Sequence, residues 1–220
     1  MNLMQKILGW LPQLLSGARI TILLTLCSVL AGLLLGVFLA LGSMSKSKII
    51  RGISKAYVFF FFRGTPLLMQ LYFVYYGLPE ISRALTINSK FLAAFIAFGL
   101  NSGAYCSEIF RSAIQSIDKG QFEAGKVLGL SYFKTMRLII LPQSIKRLIP
   151  PVGNEFIMML KDASLVSIIA LADITKVTRS IQSSTASSMV YIPAMILYLI
   201  ITAVFTLIFH WLEKKNSVYE

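Results

Sequence analysis

The sequence predicts an all-α polytopic membrane protein with about five transmembrane helices. Of its 220 residues 56% are apolar and only 14% are charged, and the mean hydropathy is +0.75. The apolar residues fall in long blocks separated by short basic loops. A hydrocarbon core of about 30 Å takes roughly 20 apolar residues per helix, so this content fills five spans. It excludes disorder and argues against an ordinary soluble fold. The 21 Lys and Arg against 9 Asp and Glu give a formal charge of +12. That excess sits in the loops rather than on a soluble face, so it reads as membrane topology and not as a nucleic-acid partner.

The first dozen residues, with Lys6, Trp10 and Pro12, lack an apolar core followed by a small-residue cleavage site, so no removable signal peptide is read. The spans are placed at about 18–42, 56–78, 91–114, 149–172 and 189–212, within a single domain covering 1–220. In span one Gly32, Gly36 and Ala40 form a small-residue stripe, and Gly99 and Gly103 repeat the spacing in span three. Such stripes let helices approach closely in lipid. Span two is interrupted by Arg63-Gly64-Thr65-Pro66, read as a kink or gate, or else as tight helix packing. Near the end of span three, Glu108 and Arg111 are three residues apart and suited to pair with each other. The Ser-rich stretch Ser180 to Ser188 is read as an external loop. Thirteen Lys and Arg collect on the side that holds the long loop 115–148, against six on the other, which sets that loop and the C-terminus in the cytoplasm and the N-terminus outside.

Little in the chain suits metal or covalent chemistry. Cys27 and Cys106 lie far apart in apolar runs, and His210 is the single histidine, so neither a zinc site nor a His-based catalyst is expected. Nor is there a P-loop: Lys134-Thr135 is preceded by Phe133 where a glycine must let backbone amides wrap phosphate. ATP hydrolysis therefore has to come from another polypeptide.

An ionisable residue at the bilayer centre costs at least ~2.5 kcal/mol on insertion scales, so each one needs a partner or a purpose. Span four carries Glu155, Lys161 and Asp162. Glu155 and Asp162 are seven residues apart, close to two turns, with Met158 and Met159 between them on about the same face. One reading makes them packing groups paired with Lys161, Arg63 or Ser and Asn side chains. The other makes them the wall of a substrate pocket, where an ammonium meets a carboxylate and a carboxylate meets backbone amides at a helix break. Asn101, Ser102 and Gly103, at mid-span three, are the expected break. The candidate pocket residues are thus Glu155, Met159, Asp162, Asn101, Ser102 and Gly103. Two carboxylates on one face favour a cationic substrate, while Lys161 works against that preference.

In the long loop, Phe122, Leu128 and Leu130 set among Gln121, Glu123, Lys126 and Ser131 predict a short helix with one apolar side, able to lie against a partner. The same stretch reads Glu123-Ala124-Gly125, then Gly129 after three residues, then nine residues to Ile139, then Leu141-Pro142. This resembles the EAA signature of ABC-importer membrane subunits, apart from Gly125 where the signature commonly has a second Ala. Flanking stretches, Phe62 to Pro66, Gly99 to Tyr105, Asn154 to Phe156 and Lys161 to Leu165, are similar to the permeases of the polar amino acid uptake family. The resemblance implies a type I importer transmembrane domain in a prokaryotic inner membrane, with Glu123, Ala124, Gly125 and Gly129 on a coupling helix. It further implies a pair of ATPase subunits holding ATP and Mg, a second permease copy or close homologue, an external solute-binding protein, and alternating access for a polar amino acid. An ion-coupled carrier or channel competes with this reading but has no use for the EAA segment; a membrane-embedded enzyme lacks the necessary residues.

Overall fold

The computed structural model describes the backbone of residues 3–216 and the side chains of residues 5–59 and 63–215. Among these the elements are helical throughout: α1 (Leu3–Ser43), α2 (Lys48–Ala56), α3 (Leu67–Tyr72), α4 (Leu78–Ile81), α5 (Lys90–Gln115), α6 (Lys119–Val127), α7 (Tyr132–Thr135), α8 (Leu141–Asp162), α9 (Ile174–Thr185) and α10 (Tyr191–Asn216). Wider π-helical turns at Tyr57–Arg63, Phe73–Gly77 and Met136–Ile140, and 3-10 turns at Arg83–Leu85, Ala163–Ile169 and Ser188–Val190, link them.

The helix α1 is the centrepiece, and it packs along α5 through the small-residue stripes. A Cβ at Gly32 would stand 2.6 Å from the Ser102 Cβ, one at Gly36 2.6 Å from the Cys106 Cβ, and one at Gly103 2.6 Å from the Leu35 Cδ2. The two backbones are therefore closer than any larger residue permits. One core gathers Leu24 and Val29 of α1, Ala93, Ala97 and Phe98 of α5, and Phe156 and Met159 of α8. A second gathers Trp10, Leu14 and Ala18 of α1 with Ile174, Ile181, Val190 and Ala194. On the outward faces of α1 and α10, Leu30, Leu34, Phe38, Leu199 and Leu207 stay exposed, the pattern of helices whose solvent is lipid.

Two of the helical segments, Gln5–Ser43 and Ser188–Lys215, are long and apolar enough to cross a membrane by length and composition alone. The third expected span is one unbroken helix, α5, whereas the second and fourth depart from the sequence reading in ways that have physical causes. Span two is two helices: the chain leaves its π-helical turn at Arg63 and restarts at Leu67, because Pro66 lacks an N–H and holds the backbone extended at φ −63°, ψ 136°. Span four ends as α-helix at Asp162 and continues as a tighter 3-10 helix to Ile169, which stops at Ala170 in the left-handed region, φ 56°. The loop 115–148 is largely helical, with α8 starting at Leu141. The Ser-rich stretch is not a loop until its last residues. Asp173 caps α9 by accepting from Thr175 N and Lys176 N, each at 2.9 Å, and Ser183, Ser184 and Thr185 return their hydroxyls to carbonyls three or four residues back.

Candidate functional site: an acidic cavity and a coupling surface

A cavity of about 500 Å³ opens between the broken helix, α5 and α8. Arg63, Gly64, Thr65 and Pro66 supply one side, Asn101 and Tyr105 the back, and Glu155, Met158, Met159 and Asp162 the other side. Both carboxylates thus reach one space, as the seven-residue spacing requires. Glu155 is buried and accepts from Ser102 Oγ at 2.8 Å; Asp162 is half-buried at the rim. Lys161, exposed, does not line the cavity.

Asn101, Ser102 and Gly103 do not break their helix, which runs uninterrupted from Lys90 to Gln115. Each has another task. Asn101 faces the cavity. Ser102 sits behind it, fully buried, and steadies Glu155. Gly103 faces Leu35 of α1, away from the cavity. The break that exposes backbone to the cavity is Gly64-Thr65-Pro66 instead.

A relay joins that break to α5. Asn101 Nδ2 donates to Gln70 Oε1 at 3.1 Å, and Gln70 Nε2 donates to Thr65 O at 3.1 Å and Thr65 Oγ1 at 2.9 Å. Tyr57 Oη also donates to Leu100 O at 3.1 Å. Gln70 escaped the sequence reading, although a lone amide in an apolar segment is the signal that would have found it. Arg63 lies 5.9 Å from the centre of the Tyr105 ring and 3.8 Å from Glu108. Glu108 is held more firmly by Arg111, through Nε at 3.1 Å and Nη2 at 2.5 Å.

On the loop side, α6 starts at Asp118, whose carboxylate accepts from Gly120 N at 2.6 Å, and ends in a Schellman cap: Leu130 N bonds to Gly125 O at 2.9 Å and Gly129 N to Lys126 O at 3.0 Å. Gly129 takes φ +72°, the left-handed conformation that a side chain resists. Gly125 is buried against α7, where a Cβ would come within 2.6 Å of Thr135 Oγ1. Phe122 stacks on Tyr132, with centroids 6.1 Å apart. Glu123 and Ala124 face outward. Beside them Val127, Leu128, Tyr132 and Phe133 form a ridge at least 71% exposed, an apolar surface left uncovered among the described residues.

Residues 32–218 match the family described as binding-protein-dependent transport system inner membrane component. The chain is 39% identical to the L-cystine transport system permease TcyB of Bacillus subtilis, over 94% of this chain and 88% of that one. It is 38% identical to the arginine transport system permease ArtQ of Bacillus subtilis, over 93% of each. Identity to the glutamine transport system permease GlnP of Escherichia coli is 34%, over 94% of each. The solved structure of an amino acid ABC transporter with histidines aligns with a TM-score of 0.90 at 38% identity, covering 96% of this chain and 97% of that one. With the acidic cavity and the EAA segment in place, the chain belongs to the family of binding-protein-dependent transport system inner membrane components, as a permease subunit of an amino-acid ABC importer.

Proposed function

We propose that this permease takes up polar amino acids, with a preference for cationic ones, and that the cavity between Arg63 and Asp162 is where they bind. The observation that carries the reading is the convergence of Glu155 and Asp162 on one open cavity beside a broken helix. Glu155, steadied by Ser102, and Asp162 receive the ammonium and the cationic side chain. Met159 and Asn101 shape the wall, and Gly103 keeps α5 close enough to α1 to hold Ser102 in place. The substrate carboxylate turns to the side of Arg63 and the Gly64-Thr65 backbone. The similar permeases are named for cystine, arginine and glutamine, so the preference for cations rests on the two carboxylates.

In this reading Glu123, Ala124, Gly125 and Gly129 form the coupling element, seated on an ATPase subunit that holds ATP and Mg. Two permease copies, or this chain with a close homologue, face each other, and an external solute-binding protein delivers substrate. The N-terminus is outside and the C-terminus cytoplasmic. Nucleotide binding closes the ATPase pair, the coupling helices move together, the cavity opens outward, and hydrolysis resets it.

The test is uptake by the reconstituted complex with its partners across a panel of labelled amino acids. Arginine, lysine and histidine should enter ahead of glutamine, only with ATP, and should accelerate hydrolysis. Asp162→Asn should reduce the advantage of arginine over glutamine by about tenfold, the weight of one charge-assisted contact. Equal uptake of glutamine and arginine would overturn the cation preference, and uptake without ATP would overturn the coupling.

A further inference from the structure

A second cavity, of about 880 Å³, lies where α1 and α5 both end, at Ser43 and Gln115. Its walls come from the end of α1, from α2 and the turn after it, and from the end of α5. Four cations line it, Arg51, Lys55, Arg63 and Arg111, against the single carboxylate of Glu108. Arg111 engages Glu108 and donates to Gln115 Oε1 at 2.6 Å, Arg63 only approaches Glu108 at 3.8 Å, and Arg51 rests on Ser45 O at 3.3 Å. Lys55, exposed, meets no carboxylate within salt-bridge distance among the described residues. The cavity therefore holds positive charge in excess, at the end of α5 from which the chain passes to α6.

The helix that supplies Arg51 and Lys55 has a second character. On the face of that helix turned from the cavity, Ile49, Ile50 and Ile53 are 75%, 52% and 66% exposed, and Phe59, 68% exposed, stands in the cavity wall. Cations beside a ledge of bare isoleucines make an amphipathic element of the kind that lies at headgroup depth. The two features ask for one ligand that is anionic at one end and apolar at the other.

We propose that this basic cavity binds the phosphate of an anionic phospholipid of the inner leaflet, with its acyl chains over Ile49, Ile50, Ile53 and Phe59. Charge complementarity sets the headgroup, and the exposed isoleucines on the other face of the same short helix set the lipid rather than a free anion as occupant. Arg63 lines both cavities, so the two sites share one wall. The assignment stands independently of which amino acid is carried.

The test is native mass spectrometry of the detergent-purified complex, titrated with phosphatidylglycerol or phosphatidylcholine. Phosphatidylglycerol should be retained about tenfold more strongly. Lys55→Gln, an exposed change, should cut that preference by about fivefold, the weight of one cation near an anionic headgroup; the pair Arg51→Gln and Lys55→Gln should abolish it. Ile53→Ser should weaken retention of both lipids by about threefold. Equal retention of the two lipids, or a preference unchanged by Lys55→Gln, overturns the proposal. Displacement of phosphatidylglycerol by millimolar inorganic phosphate, together with no effect of Ile53→Ser, overturns it in favour of a free-anion site. Loss of the second permease copy on Lys55→Gln overturns it in favour of a protein interface.

Discussion

The wall of the acidic cavity and the segment from α6 to α7 are built on opposite plans. The first is locked: Glu155 is buried against Ser102, and the Asn101–Gln70–Thr65 relay pins the broken helix to α5. The second is closed by glycine and backbone bonds, and leaves Val127, Leu128, Tyr132 and Phe133 bare. Buried polar groups that satisfy one another specify a geometry and resist change, whereas a compact turn with an apolar outer ridge keeps its own shape while waiting for a surface. Substitutions in the first region should therefore alter what is bound, and in the second, how work is passed on.

The sharpest test of that division is Glu155→Gln. It removes the charge while keeping the shape, and should lower uptake by ten- to a hundredfold, the range for a hydrogen bond to a charged group, with the complex still assembled. Unchanged uptake would return Glu155 to a packing role. Next in size is Gly32→Val, which overpacks the α1–α5 contact at Ser102. It should cost about 1–3 kcal/mol, read as a lower unfolding midpoint in detergent, and should weaken binding as well because Ser102 supports Glu155. Gly125→Ala should cost about 1 kcal/mol by forcing Thr135 aside, and should reduce substrate-stimulated ATP hydrolysis more than substrate binding. Gly129→Ala, strained in the left-handed region, should cost about 1 kcal/mol and reduce the same stimulation without touching affinity. If either glycine variant changed affinity as strongly as Glu155→Gln, the two regions would not be separable.

Much of this arrangement was legible in the sequence, because its signals were spacings. A separation of seven between Glu155 and Asp162, of four between small residues on α1 and α5, and the run from Glu123 to Pro142 each translate into a face or a turn. What the sequence misplaced was the helix break. Asn101-Ser102-Gly103 has the composition of a break, but Gly103 is spent on contact with Leu35 and Ser102 on Glu155. Helical packing with α1 overrides their low propensity. The actual break at Gly64–Pro66 was marked by proline, whose missing N–H is a stronger constraint than flexibility. The serine-rich stretch misled for a related reason: its hydroxyls bond back to the helix, and Asp173, which starts that helix, carries no periodic signal.

The length of α1 has a mechanical side. At 41 residues it extends about 60 Å, roughly twice the hydrocarbon thickness, and it is built into both cores. A rod so long, held in one core at Trp10–Ala18 and in the other at Leu24–Val29, makes a poor hinge and a good lever. Any shift of one core against the other has to be carried by α1 as a whole or absorbed along its length.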